Sequence, residues 1–214
     1  MGQVEKLKNM PKGNLIGFIG PMISFITIAA SISILPGFSW SDNPLSDLGS
    51  WFRSDLGELQ FVSAVLFNGG LIITGLMVLY FIIWLIKQIG DTPSKVALSI
   101  FACTSILLAG IGIFSEDYHL GHIFTAVPFF LLIPIALGAI GVVWFRLSEM
   151  RFLGIVSIIL CTISLLIMFQ LAVTTLSTAV FEILEAIVVM GWVWFVNYSH
   201  YSGRLSSILI TKGV

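Results

Sequence analysis

An all-α bundle of six transmembrane helices is the fold class this sequence predicts, on three observations. Of its 214 residues, 57% are hydrophobic and 10% charged, against about 45–50% and about 25% in soluble domains. Six apolar runs reach the roughly 20 residues that a helix needs to cross a bilayer. Lys and Arg gather at one set of alternate ends of those runs. With a mean hydropathy of +1.05, the chain carries more apolar surface than a soluble globule can hide. A soluble enzyme, a disordered chain and a disulfide-rich secreted module are excluded. The net charge of -1 offers no electrostatic footprint for nucleic acid.

The first run, about 14–36, has a basic start but is too long for a secretory h-region. Ala29-Ala30-Ser31 is a weak cleavage site, so the run is expected to stay as a true span. The second, about 59–87, exceeds a simple crossing. Counting back about 20 residues from its inner end puts Asn68 near the outer interface, and the turns before it project beyond the lipid. The third and fourth lie at about 96–114 and about 123–145, and Pro134 predicts a kink in the fourth. The fifth and sixth lie at about 152–172 and about 177–197. Barrel strands would be shorter and alternating. Residues 1–214 are read as a single membrane domain, with short loops apart from an outer segment at about 37–58. Gly13-x-x-x-Gly17 and Gly138-x-x-Gly141 predict close helix approach. Cys103 and Cys161 lie inside spans without a CxxC pair and read as small packing residues.

Lys6, Lys8, Lys12, Lys87, Lys95, Arg146, Arg151, Arg204 and Lys212 fall on one side of the six crossings, and Arg53 alone on the other. That bias predicts a multi-pass protein of the cell membrane with both termini cytoplasmic. Trp40 and Trp51 fall toward the outer interface, and Trp84, Trp144, Trp192 and Trp194 toward the inner one, the pattern of an aromatic belt.

The acids have the opposite distribution. Glu5, Asp91 and Glu149 are inner. Asp42, Asp47, Asp55, Glu58, Glu116 and Asp117 are outer, and Glu182 and Glu185 lie one to two turns within span six. Glu182 and Glu185 are i,i+3 and share a helix face. Ionisable groups at that depth are expensive and mark functional sites or buried partners. His119 and His122, in Ser115-Glu116-Asp117-Tyr118-His119-Leu120-Gly121-His122, have H-x-x-H spacing. They are candidate ligands of a divalent metal such as zinc, or plain polar residues at a helix start. His200 is on the far side of the bilayer and cannot join them. In Asn43-Pro44-Leu45-Ser46-Asp47-Leu48-Gly49, Asp47 either caps a short helix or serves as a base, and Ser46 is a headgroup contact. Asn68 can orient Asp47 or a ligand. The candidate catalytic residues are therefore Asp47, Glu116, His122, Glu182 and Glu185. Ser46, Asn68 and Asp117 are candidate ligand contacts. No G-x-S-x-G elbow signals a serine triad.

Asn43-Pro44-Leu45-Ser46-Asp47-Leu48-Gly49, Leu66-Phe67-Asn68 with Leu71, and Gly112-Ile113-Phe114-Ser115-Glu116 followed by His122 resemble the six-span membrane family called domain of unknown function 998. The family has a proline after the phenylalanine of the third motif, where Ser115 stands here. The resemblance implies a six-span fold and no particular activity. More loosely, the acidic motif before span two is similar to that of Frag1/DRAM membrane proteins. The polar cluster resembles that of alkaline ceramidase-type hydrolases, whose zinc site uses three His where this chain offers two on that side.

The leading expectation is a polar site at the outer end of the bundle that acts on or binds a membrane lipid, as a headgroup hydrolase or a lipid-binding protein. A hydrolase would use one carboxylate or His to activate water and another to protonate the leaving group. The alternatives are a proton-coupled transporter or channel with Glu182 and Glu185 as relay, and a non-catalytic assembly subunit.

Overall fold

A run apolar on every side has no water to satisfy its amides in lipid, so it closes its hydrogen bonds internally as a helix. The computed structural model describes residues 10–173 and 177–210. Six long helices follow one another: α1 (Lys12–Ile34), α2 (Gln60–Ile86), α3 (Thr92–Ile113), α4 (His119–Arg146), α5 (Arg151–Val173) and α6 (Thr178–Tyr201). All six are long and apolar enough to cross a membrane, and their ends lie within about four residues of the predicted ones. Among the described residues the sole β pairing is an isolated bridge, Ile89 with Leu209. Glu5, Lys6, Lys8 and Lys212, used in the charge argument, lie outside the described residues.

Local chemistry sets several helix ends. Asp91 caps α3 by accepting from the Ser94 amide at 2.8 Å, with proline in the first turn. Ser177 caps α6 by accepting from the Val180 amide at 3.2 Å. The α4 helix continues through both Pro128 and Pro134, so Pro134 sits within a continuous helix and does not end it.

Each helix packs on its neighbours in sequence, and α6 closes the ring on α1. Small residues decide the closest approaches. A Cβ on Gly17 would lie 2.7 Å from the Phe81 ring, and one on Gly13 would overlap Trp84, which seats α1 on α2 as the G-x-x-x-G spacing predicts. Gly141 and Gly154 let α4 and α5 meet almost backbone to backbone. The α1–α6 seam is tied by a reciprocal pair: Asn14 Nδ2 donates to Asn197 Oδ1 at 2.8 Å, and Asn197 Nδ2 to the Asn14 carbonyl at 3.0 Å. His200 joins this pair at the end of the bundle where the described termini lie, through Asn14 Oδ1 at 3.2 Å. At that terminal end, the 206–208 turn docks under the α2–α3 connection, where the Gly90 amide donates to the Ile208 carbonyl at 2.7 Å.

Two sequence expectations change here. Trp144 and Trp192 are fully buried and stacked on each other, donating to Ser94 and Ser157. They are core aromatics with their indole N–H satisfied, not members of an interfacial belt. Cys103 is exposed and does not fill a helix contact, whereas Cys161 packs near Gly138.

The α2–α3 contact supplies a test. A Cβ on Gly112 would sit 2.5 Å from the Asn68 carbonyl oxygen, whereas one on Gly191 meets nothing within 4 Å. Gly112→Ala is expected to cost about 1–3 kcal/mol by overpacking. Gly191→Ala is expected to be neutral or slightly stabilising. Thermal unfolding of the two variants in the same detergent checks the contrast.

Candidate functional site

The long connection between α1 and α2 does not lie over the bundle surface. Its residues Leu45–Gly49 form a 3-10 turn in which all five are buried, making contact with α1, α2 and α6. The turn acts as a plug at this end of the bundle, called here the loop end.

Burying five backbone units requires partners for their polar groups, and α2 supplies most of them. Its first three turns, which begin beyond the length a crossing needs, carry Gln60, Ser63 and Asn68. Gln60 Nε2 donates to the Asp47 and Ser50 carbonyls at 2.9 and 2.7 Å. Ser63 Oγ donates to the Leu48 carbonyl at 2.9 Å, and Asn68 Nδ2 to the Gly49 carbonyl at 2.8 Å. A side chain at Gly49 would overlap Asn68 and press on Phe67, so this close approach requires glycine. From α6, Glu182 accepts from the Leu45 amide at 2.5 Å, with the Ser46 amide facing the same carboxyl.

Asp47 is wholly buried at the centre of the plug. Its Oδ2 pairs with Arg53 at 2.6 Å and accepts from Asn43 Nδ2 at 2.7 Å. Glu116, from the α3–α4 connection, meets Asp47 and lies beside the Ser46 hydroxyl. Burial, then the hydrogen bond and charge of Asp47, push the Glu116 carboxyl up to about 7. Asp117, beside it, turns the other way. It accepts from Ser50 Oγ, the Trp51 amide and Ser115 Oγ at 2.7, 2.8 and 3.0 Å. Burial opposes ionisation of Asp117, but these donors outweigh it and hold the group below the ordinary carboxylate range.

Beneath the plug lies a cavity of about 60 Å³. Its wall is mostly apolar, with residues such as Ile28, Leu71, Phe129 and Met190 and one hydroxyl, Ser24, which donates to the Pro21 carbonyl; its polar groups at the roof are Ser46, His122 and Glu182. From Glu182 to Met190 the cavity follows α6 for about 12 Å. It is therefore narrow.

The structure brings Ser46, Asp47, Glu116, His122 and Glu182 to one place and separates the other candidates from it. Asn68 and Asp117 hold the plug in position and do not line the cavity. Glu185 is buried one turn below Glu182 and is taken by Ser164 of α5, whose Oγ lies 3.0 and 2.8 Å from its two oxygens. The shared face of Glu182 and Glu185 therefore serves two different partners. His119 is exposed, and His122 Nδ1 is bonded to the Phe114 carbonyl at 2.9 Å. Among the described residues no three His, Cys, Asp or Glu side chains converge as a metal set. The H-x-x-H pair is thus divided between surface and cavity, and the zinc expectation is not carried further. Arg53, Asn43 and Gln60 were missed as site residues. Arg53 had a legible signal, as the one outer cation among six outer acids; Gln60 had none.

Removing the Arg53 cation leaves Asp47 Oδ2 with Asn43 alone. Arg53→Ala is expected to cost about 1–3 kcal/mol, the range of a charged hydrogen bond. The cost stays below that of a fully buried ion pair because the Arg53 side chain is 37% exposed. Asp55→Ala, which removes an exposed partner of the same arginine, should change little. Equilibrium unfolding of both variants measures the difference.

No curated protein and no solved structure matches the chain significantly, and the looser likenesses to Frag1/DRAM and ceramidase-type proteins gain no support. The three motifs that build the plug, its α2 support and the Glu116 connection all fall inside residues 18–197, the stretch matched by a family profile described as "Protein of unknown function (DUF998)". With most of its length so matched, and with six helices long and apolar enough to cross a membrane, the chain belongs to that family.

Proposed function

We propose that this protein binds a single-chain, lipid-like amphiphile at the loop end, with the polar group at Ser46, His122 and Glu182 and only the first carbons of the chain in the cavity of about 60 Å³. The observation that carries the reading is the polarity of the cavity, apolar along its length save for the internally bonded Ser24 and polar at the roof. Its narrowness favours one chain over a bulky ring. An apolar cavity of this kind does not hold water well, so an apolar occupant stabilises it. Binding is favoured over headgroup hydrolysis because Asp47 and Glu116, the acid–base pair, stand behind Ser46 and do not line the cavity. The relay reading lacks a continuation: below Glu185, among the described residues, no acid or base of the membrane-spanning segments precedes His200 and the terminal end.

In this reading the protein sits in the cell membrane with both termini cytoplasmic and the plug on the outer side. Lys12, Lys87, Lys95, Arg146, Arg151 and Arg204 all lie at the terminal end, against Arg53 at the loop end.

Native mass spectrometry of detergent-purified protein with added lysolipid and fatty-acid probes tests the binding. Wild type should retain a single-chain probe. Glu182→Gln should weaken retention about tenfold or more by altering the roof, while Glu185→Gln, which keeps a partner in Ser164, should not. Equal retention by all three, or none by wild type, would refute the reading.

Orientation is tested by Ser206→Cys in a background lacking Cys103 and Cys161. The new thiol should resist an impermeant maleimide in intact cells and react after permeabilisation; labelling of intact cells would reverse the topology.

A further inference from the structure

Two buried oxygens of the plug have no hydrogen-bond partner when both carboxyls are written as ionised: Asp47 Oδ1 and Glu116 Oε2. They belong to side chains in direct contact on segments far apart in sequence. Two ionised carboxylates in contact away from water repel, and an unpaired buried acceptor is costly. One proton between them removes both penalties.

We propose that Asp47 and Glu116 form a single proton-binding site, in which Glu116 holds the proton and donates it to Asp47 Oδ1, clamping the 45–49 turn to the α3–α4 connection. The assignment of donor and acceptor follows from the surroundings. Asp47 Oδ2 is taken by the Arg53 guanidinium and by Asn43, which leaves Oδ1 as its open acceptor. Glu116 has no cation in contact. It faces Asp47 from the loop and Glu182 from α6, and Arg53 reaches it only through space. Asp117, beside it, is turned toward Ser50 and Trp51. From α4, His122 is bonded to Phe114 and His119 is exposed. Asp55, beyond Arg53, is exposed, and the described residues of α1, α2, α3 and α5 bring no charged side chain to the loop end.

When the proton leaves for water along the half-exposed Arg53 side, a second negative charge appears against Asp47. The hydrogen bond becomes a repulsion, and the plug loosens over the cavity. The sign is fixed by linkage. Glu116 is raised from 4.5 to about 7 in the fold. Its stabilising contribution is therefore complete below the ordinary carboxyl range and is lost as pH rises through about 7. The clamp is independent of what the cavity holds.

Amide hydrogen exchange of the full chain in detergent or nanodiscs, corrected for intrinsic rates, reads the clamp directly. The amides of Asp47 and Ser50, bonded within the turn, should lose protection about tenfold or more between roughly pH 5.5 and roughly pH 8.5. In Glu116→Gln the amide donates to Asp47 without titrating, so the turn should stay protected across that range. In Glu182→Gln, which leaves Asp47 and Glu116 in place, the loss should remain. A flat wild-type profile overturns the proposal whether or not the variants fold, and so does an unchanged pH-dependent loss in Glu116→Gln.

Discussion

Asp47 is an acidic side chain with 0% exposure, placed where a bundle meets its longest loop. A buried carboxylate must be given a cation and donors or it does not stay buried. The cation is Arg53, and the donor is Asn43. Both come from the same loop, so the loop has to curl around Asp47 to satisfy it. Once curled, it buries Leu45 and Leu48 in the core and brings five peptide units with them. The rest of the loop end follows from that constraint. Gln60, Ser63 and Asn68 extend α2 past its crossing to meet the carbonyls, Gly49 and Gly112 clear space for Asn68, and Glu182 accepts from the turn across the bundle.

The plug turns a six-helix ring into a chamber. Helices held by small residues and aromatic packing alone would leave the loop end open. With Leu45 and Ser46 seated, the space between α1, α2, α3, α4 and α6 becomes a narrow cavity with a polar roof. The other end is built differently. The Asn14–Asn197 pair, the buried Trp144 and Trp192 and the docked 206–208 turn pack it, and the pair lines an open groove with Phe18, Trp194 and Tyr198 that lacks acidic side chains. The bundle thus has one polarised end, where acids outnumber bases and backbone is buried, and one packed end flanked by cations.

Acid excess at the plug also explains why its parts are coupled. The charge of Asp47 acts on Glu116, and the charges of both act on Glu182, with a single arginine among them. Low local dielectric makes each of these interactions stronger than at a surface. A change at Asp47 or Glu116 is therefore felt at Glu182, which accepts from the turn that carries Ser46.

Hydrophobic run length was enough to establish six helices, because a bilayer-sized apolar segment has one way to satisfy its backbone. The i,i+4 small-residue spacing of Gly13 and Gly17 announced the α1–α2 contact for the same local reason. The motif around Asp47, Asn68, Glu116 and Glu182 was legible as a set of polar residues at one level of the bundle. Their division of labour was not. Which carboxyl meets Arg53, which meets Ser164 and which faces a cavity depends on helix rotation and on where the loop folds back. Periodicity cannot set those, since the helices are apolar on nearly every side. The pairing of Glu185 with Ser164, the surface position of His119 and the burial of Trp144 and Trp192 are choices made by packing between segments distant in sequence. Tertiary structure alone decided them, because a buried polar group goes wherever the assembled neighbours offer it a partner.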